Sequence, residues 1–120
     1  PLRRQRQMCI RDRSQSISKL RYSAFVAQAG LCYYCGRPMW ADEPEQFARM
    51  YGLTPAQAAQ RRCTAEHLQA QCDGGLNCHS NIAAACHYCN QRRHRRLHPL
   101  EPAKYQLHVL RRCAAGRWSS

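Results

Sequence analysis

Apolar residues along this chain fall in short clusters between turn-formers, and the spacing inside each cluster predicts an element. Ile17, Leu20, Phe25 and Val26 recur at helical spacing behind Ser16 and Ser18, either of which can cap, and Gly30 can close the segment. LCYYCG at 31–36 is too short for either period and predicts a tight knuckle turned at Gly36. Asp42 predicts the cap of a short helix carrying Pro44, Phe47 and Met50 and closed by Gly52. Thr54 and Pro55 start another helix, reaching about Arg62 by the same logic. From Cys63 the rhythm shortens. CTAEHL at 63–68 reads as a strand, 70–80 as a Gly-Gly loop and NIAAAC at 81–86 as a returning strand. A helix over 88–97 is stopped by Pro99, and a last one runs from Glu101 to about Cys113 with Leu107, Val109 and Leu110 apolar. The predicted architecture is small α+β, with helices around one hairpin. Residues 1–15 read as a flexible basic arm and 16–120 as one domain.

Composition narrows what such a fold is for. The chain has 120 residues, 44% hydrophobic but only 8% aromatic, which suits one modest core burying roughly two-thirds of the unfolded surface. No run approaches the ~18 apolar residues of a membrane span. The opening PLRRQRQMCI has arginines and no apolar stretch, so no secretory signal is expected there. Net charge is +12, unevenly placed. Residues 1–31 hold seven Lys or Arg against Asp12, and residues 91–120 hold eight against Glu101. Between them, residues 64–90 contain neither Lys nor Arg, only Glu66 and Asp73. Basic ends can be mere solubility devices, but 17 of the 19 basic residues are Arg, whose planar fork matches phosphate oxygens bidentately. The ends are therefore expected to hold a polyanion, while the middle keeps its negative potential for a cation.

Nine cysteines sharpen that picture. An odd count does not suit a secreted disulfide scaffold, and a reducing, intracellular setting is expected. Cys32 and Cys35, and Cys86 and Cys89, form two C-x-x-C pairs. Such turns aim two sulfurs at one point, and two of them make a tetrahedral four-thiolate site for structural zinc. One pair precedes the hairpin and the other closes it, so the ion would staple a domain short of core. Cys9, Cys63, Cys72, Cys78 and Cys113 remain. Cys72 and Cys78 with His79 offer either a second metal site or small buried thiols.

Glu66 and His67 end the first strand, Asn81 opens the second, and Asn90 follows Cys89 with His94 one turn on. With DGG at 73–75, NI at 81–82, CHYCNQRR at 86–93 and the upstream GLCYYCGRPM at 30–39, the chain resembles the HNH endonucleases over about residues 28–96. The resemblance implies a ββα-metal core over 63–97, a zinc knuckle, cleavage of DNA phosphodiesters to 5′-phosphate and 3′-hydroxyl ends, and double-stranded DNA held mainly through its phosphates. It assigns His67 as general base, Glu66 and Asn90 as ligands of a catalytic magnesium or manganese, and Asn81 as the residue holding the base-bearing loop. His94 competes with Asn90 for the last ligand position. Glu66 stands where many members have Asp.

The chemistry can also be built from the residues. Phosphodiester hydrolysis needs an activated water and neutralised phosphoryl oxygens. Neutral imidazole is a fitting base near pH 7. A carboxylate and an amide oxygen are hard ligands for magnesium or manganese. Neighbouring residues in a strand face opposite ways, so Glu66 and His67 serve one site only if the strand end bends. On a helical wheel, Asn90, His94, Arg93 and Leu97 share a side. Leu97 is expected to pack it on the hairpin and Arg93 to reach the scissile phosphate as a catalytic residue. Arg92, Arg95 and Arg96 then fall on flanking phosphates as nucleic-acid-binding residues. The competing expectation is a zinc-stabilised nucleic-acid-binding module that shares the scaffold but does not cut.

Overall fold

The structure, a computed structural model, describes residues 16–69 and 77–118. The arm expected at 1–15 and the Gly-Gly turn lie outside the described residues. The described elements are α1 (Ile17–Ala27), α2 (Pro44–Tyr51), α3 (Pro55–Gln60), β1 (Cys63–His67), β2 (Ile82–Cys86), α4 (His87–Arg93) and α5 (Pro102–Ala114). The class is mixed helix and sheet. Among the described residues no helix is long and apolar enough to cross a membrane.

Capping chemistry sets several boundaries. Ser16 is the cap of α1, its hydroxyl accepting from the Lys19 amide, which settles the choice between the two serines. The helix ends through Ala29 and Gly30, both at positive φ, and it is this left-handed backbone at 30 that calls for glycine. Thr54 and Gln57 close a full capping box on α3. Asp42 does not cap α2; Glu43 holds that position without a side-chain bond, and Pro44 and the left-handed Gly52 bound the helix instead.

β1 and β2 form one antiparallel pair in the register Cys63 with Cys86 through His67 with Ile82. β2 is buried along its whole length, and its three alanines let α1 lie close against both strands. Its outer edge is satisfied by side chain as well as backbone. Gln28 accepts from the Ala84 amide at 2.9 Å and donates to the Ala84 carbonyl at 2.8 Å, while the Tyr33 amide donates to the same carbonyl. The core around this strand is thiol, alanine and aromatic rather than aliphatic: Cys32, Tyr34, Cys86, Cys89, Tyr105 and Trp118 are all buried in it.

Two sequence expectations fail at the end of α4. α4 stops at Arg93, not at 97, because the chain then turns back so that the Arg93 guanidinium reaches the Leu100 carbonyl. Leu97, expected to pack on the hairpin, is 90% exposed as a consequence. In α5 the inward face is carried by Tyr105 and Val109, leaving Leu107 and Leu110 exposed.

Candidate functional site

Two buried centres meet the hairpin, one at Cys86, which pairs with Cys63, and the other at Glu66, which pairs with Ala83. The first gathers Cys32, Cys35, Cys86 and Cys89, whose sulfurs all lie within 4.8 Å of one another. Cys35 and Cys86 approach to 4.0 Å, close to the ~3.8 Å edge of a tetrahedron with 2.3 Å metal–sulfur bonds. The knuckle supplies one pair, and the β2–α4 junction supplies the other, Cys86 serving as the cap of α4. N–H groups surround the sulfurs as they would thiolates. Cys32 Sγ accepts from the amides of Tyr34 and Cys86, Cys86 Sγ from the Cys89 amide, and Cys89 Sγ from the Trp118 indole. The protons are unevenly shared. Hydrogen bonds from Cys32 first, then Cys86 and Cys89, hold Cys35 below the ordinary thiol range, while hydrogen bonding with Cys32 first and then Cys35 pushes Cys86 and Cys89 above it. Four buried soft donors at this spacing can hold one zinc ion.

The second centre is the Glu66 carboxylate, 1% exposed. Oε2 accepts from the Tyr34 hydroxyl at 2.9 Å and from Arg93 Nη1 at 3.2 Å, and Oε1 lies 2.8 Å from His94 Nε2. Burial first, then the Glu66 charge, pushes the Tyr34 hydroxyl above its ordinary range, so it remains a donor to the carboxylate. His94 is the partly exposed member, and through it this buried acid approaches the surface.

Arg93 is not at the surface, and the expected reach to a scissile phosphate is corrected. Its guanidinium is buried and donates to Glu66 and the His67 carbonyl through Nη1, to Leu68 and Leu100 carbonyls through Nη2, and to Leu100 again through Nε. These contacts engage all five N–H groups. The physical reason is Glu66: a carboxylate this buried needs a cation beside it, and the planar fork also ties down the carbonyls at the end of β1.

The remaining expected residues are placed as follows. The amide nitrogen of Asn90 donates to Thr64 Oγ1 and the Ala65 carbonyl, clamping α4 to β1, so the nitrogen beside Glu66 comes from His94. His67 does not join Glu66. β1 runs regularly through both residues, and the His67 ring meets Asn77 Oδ1 at 2.7 Å. Asn81 binds both backbone groups of Gln69, accepting from its amide at 2.8 Å and donating to its carbonyl at 3.1 Å, which clamps the segment just after His67. Arg92 lies over the Tyr88 ring at 4.0 Å, and Arg95 and Arg96 are exposed on the turn beyond α4. Cys78 is fully buried but disulfide-bonded rather than a free thiol, so a ligand role beside His79 is corrected.

Sequence reasoning missed Tyr34, Asn77 and Trp118. Tyr34 had one available signal: it lies inside a C-x-x-C turn, where a residue between two core-facing sulfurs can itself be drawn into the core. Asn77 and Trp118 are brought in by contacts over ten or more residues and carry no local signal. Comparison with protein-family models, with curated proteins and with solved structures gives no match to this chain.

Proposed function

We propose that the chain is a metal-dependent endonuclease of the HNH kind, acting on double-stranded DNA with a zinc ion stapling its ββα core. The observation that carries the reading is the meeting of Glu66 and His94 at 2.8 Å, at the strand end where His67 follows Glu66. A carboxylate oxygen and an imidazole nitrogen this close, with a basic chain around them, can take one divalent ion, the oxygen suiting magnesium or manganese and the nitrogen favouring manganese of the two. Such an ion would be held by Glu66 and His94 and would supply charge neutralisation on the phosphoryl oxygens. His67, on the other face of the regular strand, would take the proton of the attacking water once the end of β1 bends on binding substrate, its ring oriented by Asn77 and its backbone by Arg93 and Asn81. Arg93 sets the carboxylate in place and touches no substrate. Arg92, Arg95 and Arg96 contribute phosphate contacts.

The non-catalytic nucleic-acid-binding module stays as the second reading, favoured by the near-complete burial of Glu66 and its internal pairing with Arg93. A plasmid cleavage assay with added magnesium or manganese separates the two. The parent is expected to nick, and His67→Ala to slow cutting by about 10²–10⁴-fold while leaving DNA affinity nearly unchanged. A parent that binds DNA but cuts with no divalent ion establishes the second reading, and a variant cutting as fast as the parent removes His67 as base.

A further inference from the structure

A cavity of about 260 Å³ opens where the turn after α4 faces α5. Arg92, Arg95 and Arg96 line one side; Leu100, His108 and Trp118 line another. Arg93 also borders it, and its guanidinium is the group that separates this cavity from Glu66. Tyr105 completes the wall, and no carboxylate among the described residues lines the space. The arginines other than Arg93 therefore face it without internal neutralisation. Arg92 is held over the Tyr88 ring at 4.0 Å, and its buried Nε has no hydrogen-bond partner among the described residues, so its head is positioned without being matched by an acceptor. Leaving such a donor unmatched is unfavourable unless an acceptor enters.

The opposite wall has different chemistry. Trp118 stands edge-on to Tyr88 at 5.1 Å and to His108 at 6.2 Å, so flat rings are held in place by one another. A bare phosphate would use the arginines and leave this wall without a partner. The volume lies just below the roughly 300–1,000 Å³ of drug-sized ligand pockets, enough for a ring together with a phosphate. A duplex keeps its bases stacked inward, so only an unpaired base is free to meet these rings.

We propose that this cavity seats one unpaired nucleotide of a DNA strand, its phosphate among Arg92, Arg95 and Arg96 and its base against Trp118 and His108. This rests on the nucleic-acid reading above and deepens it. The strand is anchored one guanidinium away from Glu66, which fixes its position relative to that centre.

The test uses the full chain without added magnesium and reads tryptophan fluorescence. The chain has two tryptophans, so Trp40→Phe leaves Trp118 as the reporter. Single-stranded hexathymidylate is expected to quench that signal saturably, and a blunt duplex of the same length to bind more weakly. His108→Ala, Arg92→Gln and Arg96→Gln should each weaken hexathymidylate binding by at least about fivefold, the low end for loss of one stacked base. Arg112→Gln, an exposed arginine on α5 outside the cavity, should change it less than about twofold. Equal losses at Arg96 and Arg112 would reveal diffuse attraction and overturn the proposal. Quenching by inorganic phosphate as strong as by the oligonucleotide would also overturn it, identifying an anion site alone. Since zinc content and circular dichroism report folding, Arg95→Gln replaces any variant that fails to fold. A chain that cuts plasmid yet does not bind hexathymidylate loses this pocket and keeps the nuclease reading. One that binds it and never cuts loses the nuclease reading and keeps the pocket.

Discussion

The cysteine cluster and the Glu66 centre are both buried on one hairpin, yet they meet the cost of burial in opposite ways. The cluster collects four donors of one kind, and its sulfurs and the surrounding N–H groups leave the negative charge for a bound cation to neutralise. Glu66 is instead neutralised from within, by an arginine whose every N–H is engaged, and only its Oε1 edge turns to the partly exposed His94. One centre presents four donors that can take an ion; the other already holds a cation of its own, Arg93. The difference teaches that burial alone does not make an acid depend on an ion: Arg93 already supplies countercharge at Oε2, and only the Oε1 edge beside His94 is left for one.

That comparison is sharpest where the two centres are broken separately. Replacing Cys32 and Cys35 by Ser should remove zinc and unfold the chain, because structural zinc contributes on the order of 10–16 kcal/mol in small domains. Loss of both helicity and metal, read by circular dichroism and elemental analysis, is expected; retained helicity without metal would make the cluster dispensable. Arg93→Ala should destabilise by about 3–5 kcal/mol in urea denaturation, since it leaves Glu66 buried with its main countercharge gone. Pairing Arg93→Met with Glu66→Leu should recover much of that loss, because neither charge then remains buried. No recovery would show that the bonds of Arg93 to the His67, Leu68 and Leu100 carbonyls, rather than the ion pair, are what it provides.

Tyr34 belongs to both centres. Its amide donates to Cys32 Sγ and its hydroxyl to Glu66, so it couples the knuckle to the carboxylate. Tyr34→Phe should cost about 1.5–3 kcal/mol, the range for a hydrogen bond to a charged group, without lowering zinc content. Zinc loss in this variant would show that the two centres are one cooperative unit.

Much of this was readable along the chain, and the parts that were share a cause. Ser16, Thr54 and Pro55, Gly30 and Gly52 act on backbone groups within a few residues, so their effect is local and their positions predict the helix ends. The two C-x-x-C turns are local too, and the likeness of their partners in chemistry brings them together. The strands 63–68 and 81–86 were readable from their short apolar runs between turn residues. Helix 88–97 was not, because its end depends on where the Arg93 head lies in space.

Sequence by itself determined the caps of α1 and α3, the hairpin, the four thiols that converge and the basic character of the chain, all set by short-range backbone chemistry or by composition. Only the tertiary structure decided that His94 rather than Asn90 lies beside Glu66, that Arg93 turns inward, and that Tyr34 joins the two centres. Those outcomes depend on which buried charge needs which partner, and a buried charge is created only when distant segments close over it.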